Sequence, residues 1–305
     1  MKIFRSYSAG FKRTAGLVKI IFIIYSVTLL LGLILAFSFN SQISNLFSSR
    51  IEVFKLLRDF DFTIYSDFMN NYSYLVQPFI QMIIWFSMFY LFFTIFFAGG
   101  VFKSFEGSII KSKSQAFFAG CAKYFFRFLR LGIYTIIFQL IIHLIIGSIF
   151  ASFYARLIKT STEPAIFTVI IIWMAVHLLF FILISLISDY AKIIIVKEDS
   201  KKVWKALYGS LKFSLRKIYL AFPLYILLLI VPVAFTIFYL ILDDVIGMKS
   251  GLTVLTMFLI QQLYIWLRLF SKVWLLAGEY DLFNSELIVR KQPMITQEII
   301  TNETL

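Results

Sequence analysis

The 305-residue chain is 61% hydrophobic and only 15% charged, with a mean hydropathy of +0.89, against about 45 to 50% apolar and about 25% charged for an ordinary soluble domain. A single core stops growing at roughly 250 to 300 residues, so a water-soluble globule of this composition would carry apolar surface it could not cover. The formal net charge is +13, and the one cysteine, Cys121, leaves no disulfide framework and no thiolate set for a metal.

Six stretches are long enough to cross a hydrocarbon core of about 30 Å, which takes about 20 helical residues. They run approximately over 17–39, 78–100, 129–153, 165–187, 218–242 and 252–277, and polar, charged spacers keep them separate. The first is longer than the roughly 7 to 15 apolar residues of a secretory signal, so it reads as an uncleaved anchor. The chain therefore reads as an all-α polytopic membrane helix bundle.

The arm 2–16 before the first span is amphipathic: Ile3, Phe4, Tyr7 and Phe11 oppose Lys2, Arg5, Lys12 and Arg13. After that span, the connection 40–77 predicts a helical cap, with Ile43, Phe47, Ile51 and Phe54 on one face and Asp59, Asp61 and Asp67 solvated. Between the second and third spans, Phe117, Phe118, Cys121, Tyr124, Phe125 and Phe128 recur at steps of three and four, which predicts a second interfacial helix over 114–129. A third is predicted over 201–217, where Val203, Trp204, Leu207, Tyr208, Leu211 and Leu215 oppose a lysine-rich face and Asp199 or Ser200 supplies the N-cap. Pro223 and Pro232 predict a kink in the fifth span. Residues 278–305 read as a tail on the same side as the N-terminus.

Three units emerge, each an interfacial helix followed by a helical hairpin. Ala9-Gly10-Phe11-Lys12, Gly120-Cys121-Ala122-Lys123 and Gly209-Ser210-Leu211-Lys212 share a small-small-x-Lys pattern. Lys103 and Lys192, and Arg127 and Arg216, recur at an offset of 89 residues. Repeated units of this kind occur in transporters and also arise by plain duplication.

Lys and Arg set the expected orientation. The segments on the N-terminal side of the bilayer hold 22 of them, and the three opposite connections hold six. The positive-inside rule then puts both termini and all three interfacial helices in the cytoplasm of a cell membrane. Basic residues that follow topology in this way argue against nucleic acid as a partner and for anionic phospholipid headgroups, each cation being worth on the order of 1 kcal/mol near an anionic leaflet. A membrane-protein partner or a second copy of the chain is compatible with the same surface.

Two groups of polar residues interrupt the apolar background. His143 and His177 are the only histidines and fall at similar depth in consecutive antiparallel spans. One reading makes them a proton relay, a metal pair or axial haem ligands. The other makes them interhelical glue, bonded to Gln139, Gln261 or Gln262, and the absence of a midplane carboxylate favours it. The second group is Asp189, Lys192, Arg268, Lys272 and Glu279, at the cytoplasmic ends of the fourth and sixth spans. There an Asp189–Arg268 ion pair would lock the two helices, or an anionic headgroup or substrate would bind.

No H-E-x-x-H, G-x-S-x-G, Walker loop or dinucleotide fingerprint is present, so no catalytic residue, metal or cofactor is assigned. The expectation is a non-enzymatic membrane protein in small-solute transport or envelope lipid organisation. The alternative is a membrane enzyme or cofactor-carrying subunit built on the histidine pair.

The exit from the fourth span, Ser188-Asp189-Tyr190-Ala191-Lys192, is followed by Ile193-Ile194-Ile195-Val196, a charged turn and an amphipathic run to Lys217. It resembles six-span bacterial proteins similar to the membrane domain attached to some glycerophosphodiester phosphodiesterases. The likeness covers mainly residues 102–225. It implies a stand-alone bacterial membrane module, with no phosphodiesterase domain in this chain.

Overall fold

The computed structural model describes residues 2–47, 62–106, 113–160, 162–247 and 250–303, and these form an all-α polytopic bundle. The helices are α1 (Lys2–Ala15), α2 (Val18–Phe47), α3 (Phe62–Phe105), α4 (Lys113–Thr160), α5 (Glu163–Lys197), α6 (Val203–Arg216), α7 (Ile218–Ile246) and α8 (Gly251–Glu303). Among the described residues, six segments are long and apolar enough to cross a membrane. They are Val18–Ser38, Ile80–Phe105, Ser114–Ile158, Pro164–Lys197, Ile218–Ile246 and Gly251–Leu287.

Two compact units divide the chain, Phe22–Thr94 and the remainder, Met1–Ile21 with Ile95–Leu305. The smaller unit carries most of α2 and α3. Its flanks of the 40–77 connection extend the spans, since α2 runs on to Phe47 and α3 already starts at Phe62. Ile51, Phe54, Asp59 and Asp61 of the expected cap lie outside the described residues.

In the larger unit, each N-terminal helix of a hairpin sits on a returning span, that of the preceding hairpin for α4 and α6 and that of the last hairpin for α1. α1 lies on α8, the start of α4 lies on the end of α3, and α6 lies on α5. The three small-small-x-Lys segments occupy equivalent places in these contacts. Gly10, Cys121 and Ser210 are buried, as are Ser6, Phe117 and Ala206 one turn earlier, while Lys12, Lys123 and Lys212 face out. Glycine allows the closest approach. A methyl group on Gly10 would fall 2.7 Å from the Gly278 amide nitrogen, and one on Gly120 would fall 2.8 Å from the Gly99 carbonyl oxygen.

This packing shows which stripe of each short helix meets protein. α1 buries Ser6, Gly10 and Thr14, and α6 buries Val203, Ala206, Ser210 and Ser214. The bulky apolar residues Phe4, Phe11, Trp204, Tyr208 and Leu215 stay exposed. Periodicity singles out the aromatic stripe, whose Tyr7, Phe11 and Trp204 touch the bundle from its edge, yet the buried contact is made by the small stripe, which lets the backbones close up.

Two expected boundaries are absent. α4 runs without a break from Lys113 to Thr160: no positive φ interrupts the junction near Leu129, even at Gly132, and Phe128 and Leu131 continue one buried stripe. The segment after Ala277 belongs to the core: Tyr280, Leu282, Phe283 and Glu286 are buried as α8 continues to Glu303. α7 likewise passes both Pro223 and Pro232 without interruption.

The tightest packing lies at the basic end of this unit. Tyr190 of α5, Phe213 of α6 and Phe283 of α8 meet with ring centroids 4.8 to 6.2 Å apart, and Phe105 of α3 meets Tyr280 at 5.5 Å. Polar bonds tie α1 to them. The Arg13 guanidinium donates to the Phe105 carbonyl at 2.6 Å, and the Trp274 indole donates to the Tyr7 carbonyl at 2.9 Å. Glu286, whose side chain is 4% exposed, pairs with both Lys2 at 2.8 Å and Lys217 at 2.7 Å, joining α1, α8 and the α6–α7 junction. The Glu286 carboxylate beside Lys217 holds that ammonium above the ordinary lysine range.

Asp199 does not cap α6. The cap position is Lys202, with no side-chain cap bond, and Asp199 stands at φ +46° with its carboxylate on Lys123 at 2.9 Å and Arg127 at 2.7 Å of α4. These two bonds depress its carboxyl below the usual aspartate range. The tie therefore contributes fully above the unfolded-state value and is lost as pH falls through the depressed folded-state value. Asp199 is 54% exposed, so the contribution is below about 1 kcal/mol. The stability difference between parent and Asp199→Asn, followed by denaturant midpoint from about pH 7 down to about pH 3, is expected to shrink toward zero at the acid end. A constant difference across that range would assign the effect of the substitution to something other than these charges.

Candidate functional site

The ionisable residues expected at the ends of the fourth and sixth spans do gather, on α5 and α8. Asp189 and Lys192 lie one turn apart on α5 and pair at 2.6 Å. The expected Asp189–Arg268 bridge is not formed, because a partner on the same helix satisfies the carboxylate at no cost in interhelical geometry. Across from them on α8, Lys272 lies within electrostatic reach of Asp189, Lys192 and Arg268. Glu279, two turns further, lies within reach of Asp189 and Lys192.

Their environments differ sharply. Arg268 and Lys272 are exposed side chains one turn apart. Among the described residues, neither has a carboxylate in ion-pair contact. Glu279 is the opposite case: it is 0% exposed and neither carboxyl oxygen has a hydrogen-bond partner. Behind it, the buried Tyr190 hydroxyl is also unpartnered.

Tyr190 and Tyr225 both interact electrostatically with Asp189 and Glu279, so α7 contributes to the same cluster. The sequence offered one signal for Tyr190, its place between Asp189 and Lys192. It offered none for Tyr225, an ordinary aromatic in an apolar span.

The histidines meet as their depth predicts, but face to face. Their ring centroids are 4.8 Å apart with an interplanar angle of 9°. The stack continues through Trp173, 4.5 Å from His177, to Phe150, 4.7 Å from Trp173. His177 Nδ1 donates to the Trp173 carbonyl at 3.1 Å, one turn back on α5, and His143 Nδ1 has no partner. The expected glutamine bonds are not made by Gln139 or Gln261, since Gln139 lies half-buried on α4 and Gln261 is exposed on α8. Gln262 is half-buried on α8. Imidazole lone pairs lie in the ring plane, so parallel stacked rings do not aim two nitrogens at one point between them, as a shared metal or a haem iron requires. This arrangement is aromatic packing within the α4–α5 hairpin, supported by a Thr135–Ser188 hydroxyl bond of 3.2 Å nearer the basic end.

Compared with known protein families, with curated proteins and with solved structures, the chain finds no match in any of the three.

Proposed function

We propose that this chain is a non-enzymatic multi-pass protein of the cell membrane that holds anionic phospholipid at its basic end, with that end and both termini in the cytoplasm. The observation that carries this reading is the pair Arg268 and Lys272, cations exposed on one face of an apolar helix and without ion-pair partners among the described residues. At 1.5 Å per residue they lie roughly 25 and 32 Å along α8 from Gly251, which is the far boundary of a hydrocarbon core about 30 Å thick. Phosphate groups are concentrated at that depth, and a guanidinium and an ammonium one turn apart suit a phosphodiester.

The excess of Lys and Arg on one side of the spans supports the orientation. The exposed aromatic stripes of α1 and α6 support contact of that end with the membrane interface. Among the two expected roles, lipid organisation draws more support than solute transport, because the cations open outward and the midplane histidines are taken up in packing. The stacked geometry of His143 and His177 gives the alternative of a cofactor-carrying enzyme little support.

The test is the lipid retained by the purified full-length protein. Extracted from a mixed membrane into mild detergent and weighed intact by native mass spectrometry, the parent is expected to carry anionic phospholipid in preference to zwitterionic. Arg268→Gln with Lys272→Gln is expected to weaken that retention roughly 30-fold, from about 1 kcal/mol per charge. Equal retention of anionic lipid by the double variant, or equal retention of both lipid classes by the parent, would refute the proposal.

A further inference from the structure

A second group of unpaired cations lies on another part of the basic end. Between α4 and the start of α6, an open cleft of about 600 Å³ is lined by Arg130, Lys201, Lys202, Lys205, Trp204 and Tyr134, among others. No acidic residue lines it. The contrast with its neighbours is informative: Lys123 and Arg127, two turns and one turn before Arg130 on α4, both pair with Asp199. Among the described residues, Lys201, Lys202 and Lys205 have no ion-pair partner. Arg130 makes only an Nε bond of 3.3 Å to the Phe126 carbonyl, which leaves the rest of its guanidinium open.

The aromatic wall fixes the level of the cleft. The Trp204 ring stacks on Phe138 at 6.0 Å and 23°, and meets Tyr134 edge-on at 6.0 Å. Trp204 remains 59% exposed, the placement tryptophan takes where one end of the ring is apolar and the other wet. Below it, Ile133, Ile137 and Ile141 are exposed along α4, a track on which acyl chains can lie. Above it stand the four cations.

We propose that this cleft is the headgroup site of an anionic phospholipid bearing more than one phosphate, with its acyl chains against α4. One phosphodiester carries a single negative charge and would leave most of the four cations unmatched, so a headgroup with two or more phosphates complements the cleft better. The inference shares the membrane placement proposed above but does not depend on the lipid contact of Arg268 and Lys272.

The test uses the full-length protein in zwitterionic detergent, titrated with a two-phosphate phospholipid carrying brominated acyl chains. The Trp204 signal is the difference in quenching between the parent and Trp204→Phe. Saturable quenching is expected, with affinity falling roughly 100-fold in K201Q/K202Q/K205Q and essentially unchanged in R268Q/K272Q. The charge-conserving K201R/K202R/K205R variant should keep the parent affinity, which separates loss of charge from loss of fold.

Unaltered affinity in the triple glutamine variant would overturn the assignment, as would equal quenching by brominated zwitterionic lipid or loss of binding in the arginine variant. Inorganic pyrophosphate occupying the cleft as tightly as the lipid would also overturn it, since a soluble anion would then be the ligand. If only the R268Q/K272Q variant lost binding, the cleft would be discarded and the Arg268–Lys272 pair kept as the lipid site.

Discussion

Gly100→Val is expected to prevent the basic end from assembling. A methyl group added at Gly100 would fall 2.5 Å from Cys121 Sγ, 2.5 Å from Phe117 Cδ2 and 2.6 Å from the Phe117 carbonyl oxygen. The last of these is backbone, so no change of rotamer relieves the collision, and α3 and α4 must separate where Phe97 stacks on Phe117 at 6.0 Å and Phe102 meets Phe128 at 6.0 Å. Overpacking alone costs about 1 to 3 kcal/mol, and opening an aromatic contact face adds to it. The thermal midpoint of the detergent-solubilised protein should fall steeply, with low yield of folded material. Gly147 is the control, since nothing lies within 4 Å of a Cβ there. Gly147→Ala should leave the midpoint unchanged or raise it, through a gain in stability of up to about 1 kcal/mol from helix propensity. Equal behaviour of the two variants would show that α3 and α4 do not meet at Gly100.

The six spans were legible because hydrocarbon imposes one requirement on every residue of a span, and a window of about 20 residues reads it directly. The similar depth of His143 and His177 was legible for a related reason, since the known rise of antiparallel helices fixes it, but that the two rings touch was not. The ring orientation was not, because it depends on Trp173 and Phe150, which sequence cannot distinguish from lipid-facing aromatics.

The interfacial helices illustrate a different limit. Ile3, Phe4, Tyr7 and Phe11 form the obvious apolar stripe of α1, and Tyr7 and Phe11 reach Trp274 at its edge, but the backbones of α1 and α8 close up at Gly278, which no periodicity reveals. Close contact between two helices needs small residues on both, so Ser6, Gly10 and Thr14 are the buried face. The repeated small-small-x-Lys pattern was the trace of this contact in the sequence. Asp199 was misread for a related reason: its cations, Lys123 and Arg127, are more than 70 residues away in the chain, whereas the cap it could have made was two residues away. The Asp189–Arg268 pair failed in the opposite direction, because the local partner Lys192 was nearer than the distant one.

Glu279→Met is expected to stabilise the protein. The carboxyl is completely enclosed, neither oxygen is hydrogen-bonded, and the nearby Tyr190 hydroxyl is unpartnered as well. Burying an unsatisfied polar group costs about 1 to 3 kcal/mol, and replacing buried ionic groups with apolar side chains of similar volume is often neutral or stabilising by about 1 to 4 kcal/mol. Methionine fills the same space with a flexible thioether, so the thermal midpoint in detergent should rise. Glu279→Lys, which leaves a polar group enclosed and brings a cation toward Lys192 and Lys272, should lower it strongly. A fall of more than about 2 kcal/mol in the methionine variant would mean that the carboxyl has a partner worth that much. A residue that weakens the fold is kept where it serves a site, and Glu279 lies two turns from Lys272 on α8. The methionine variant removes only an enclosed carboxyl group on the same helix, so it should retain anionic phospholipid at Arg268 and Lys272 at least as firmly as the parent. Tighter retention together with higher stability would place Glu279 behind the lipid site, where it limits how strongly the headgroup is held.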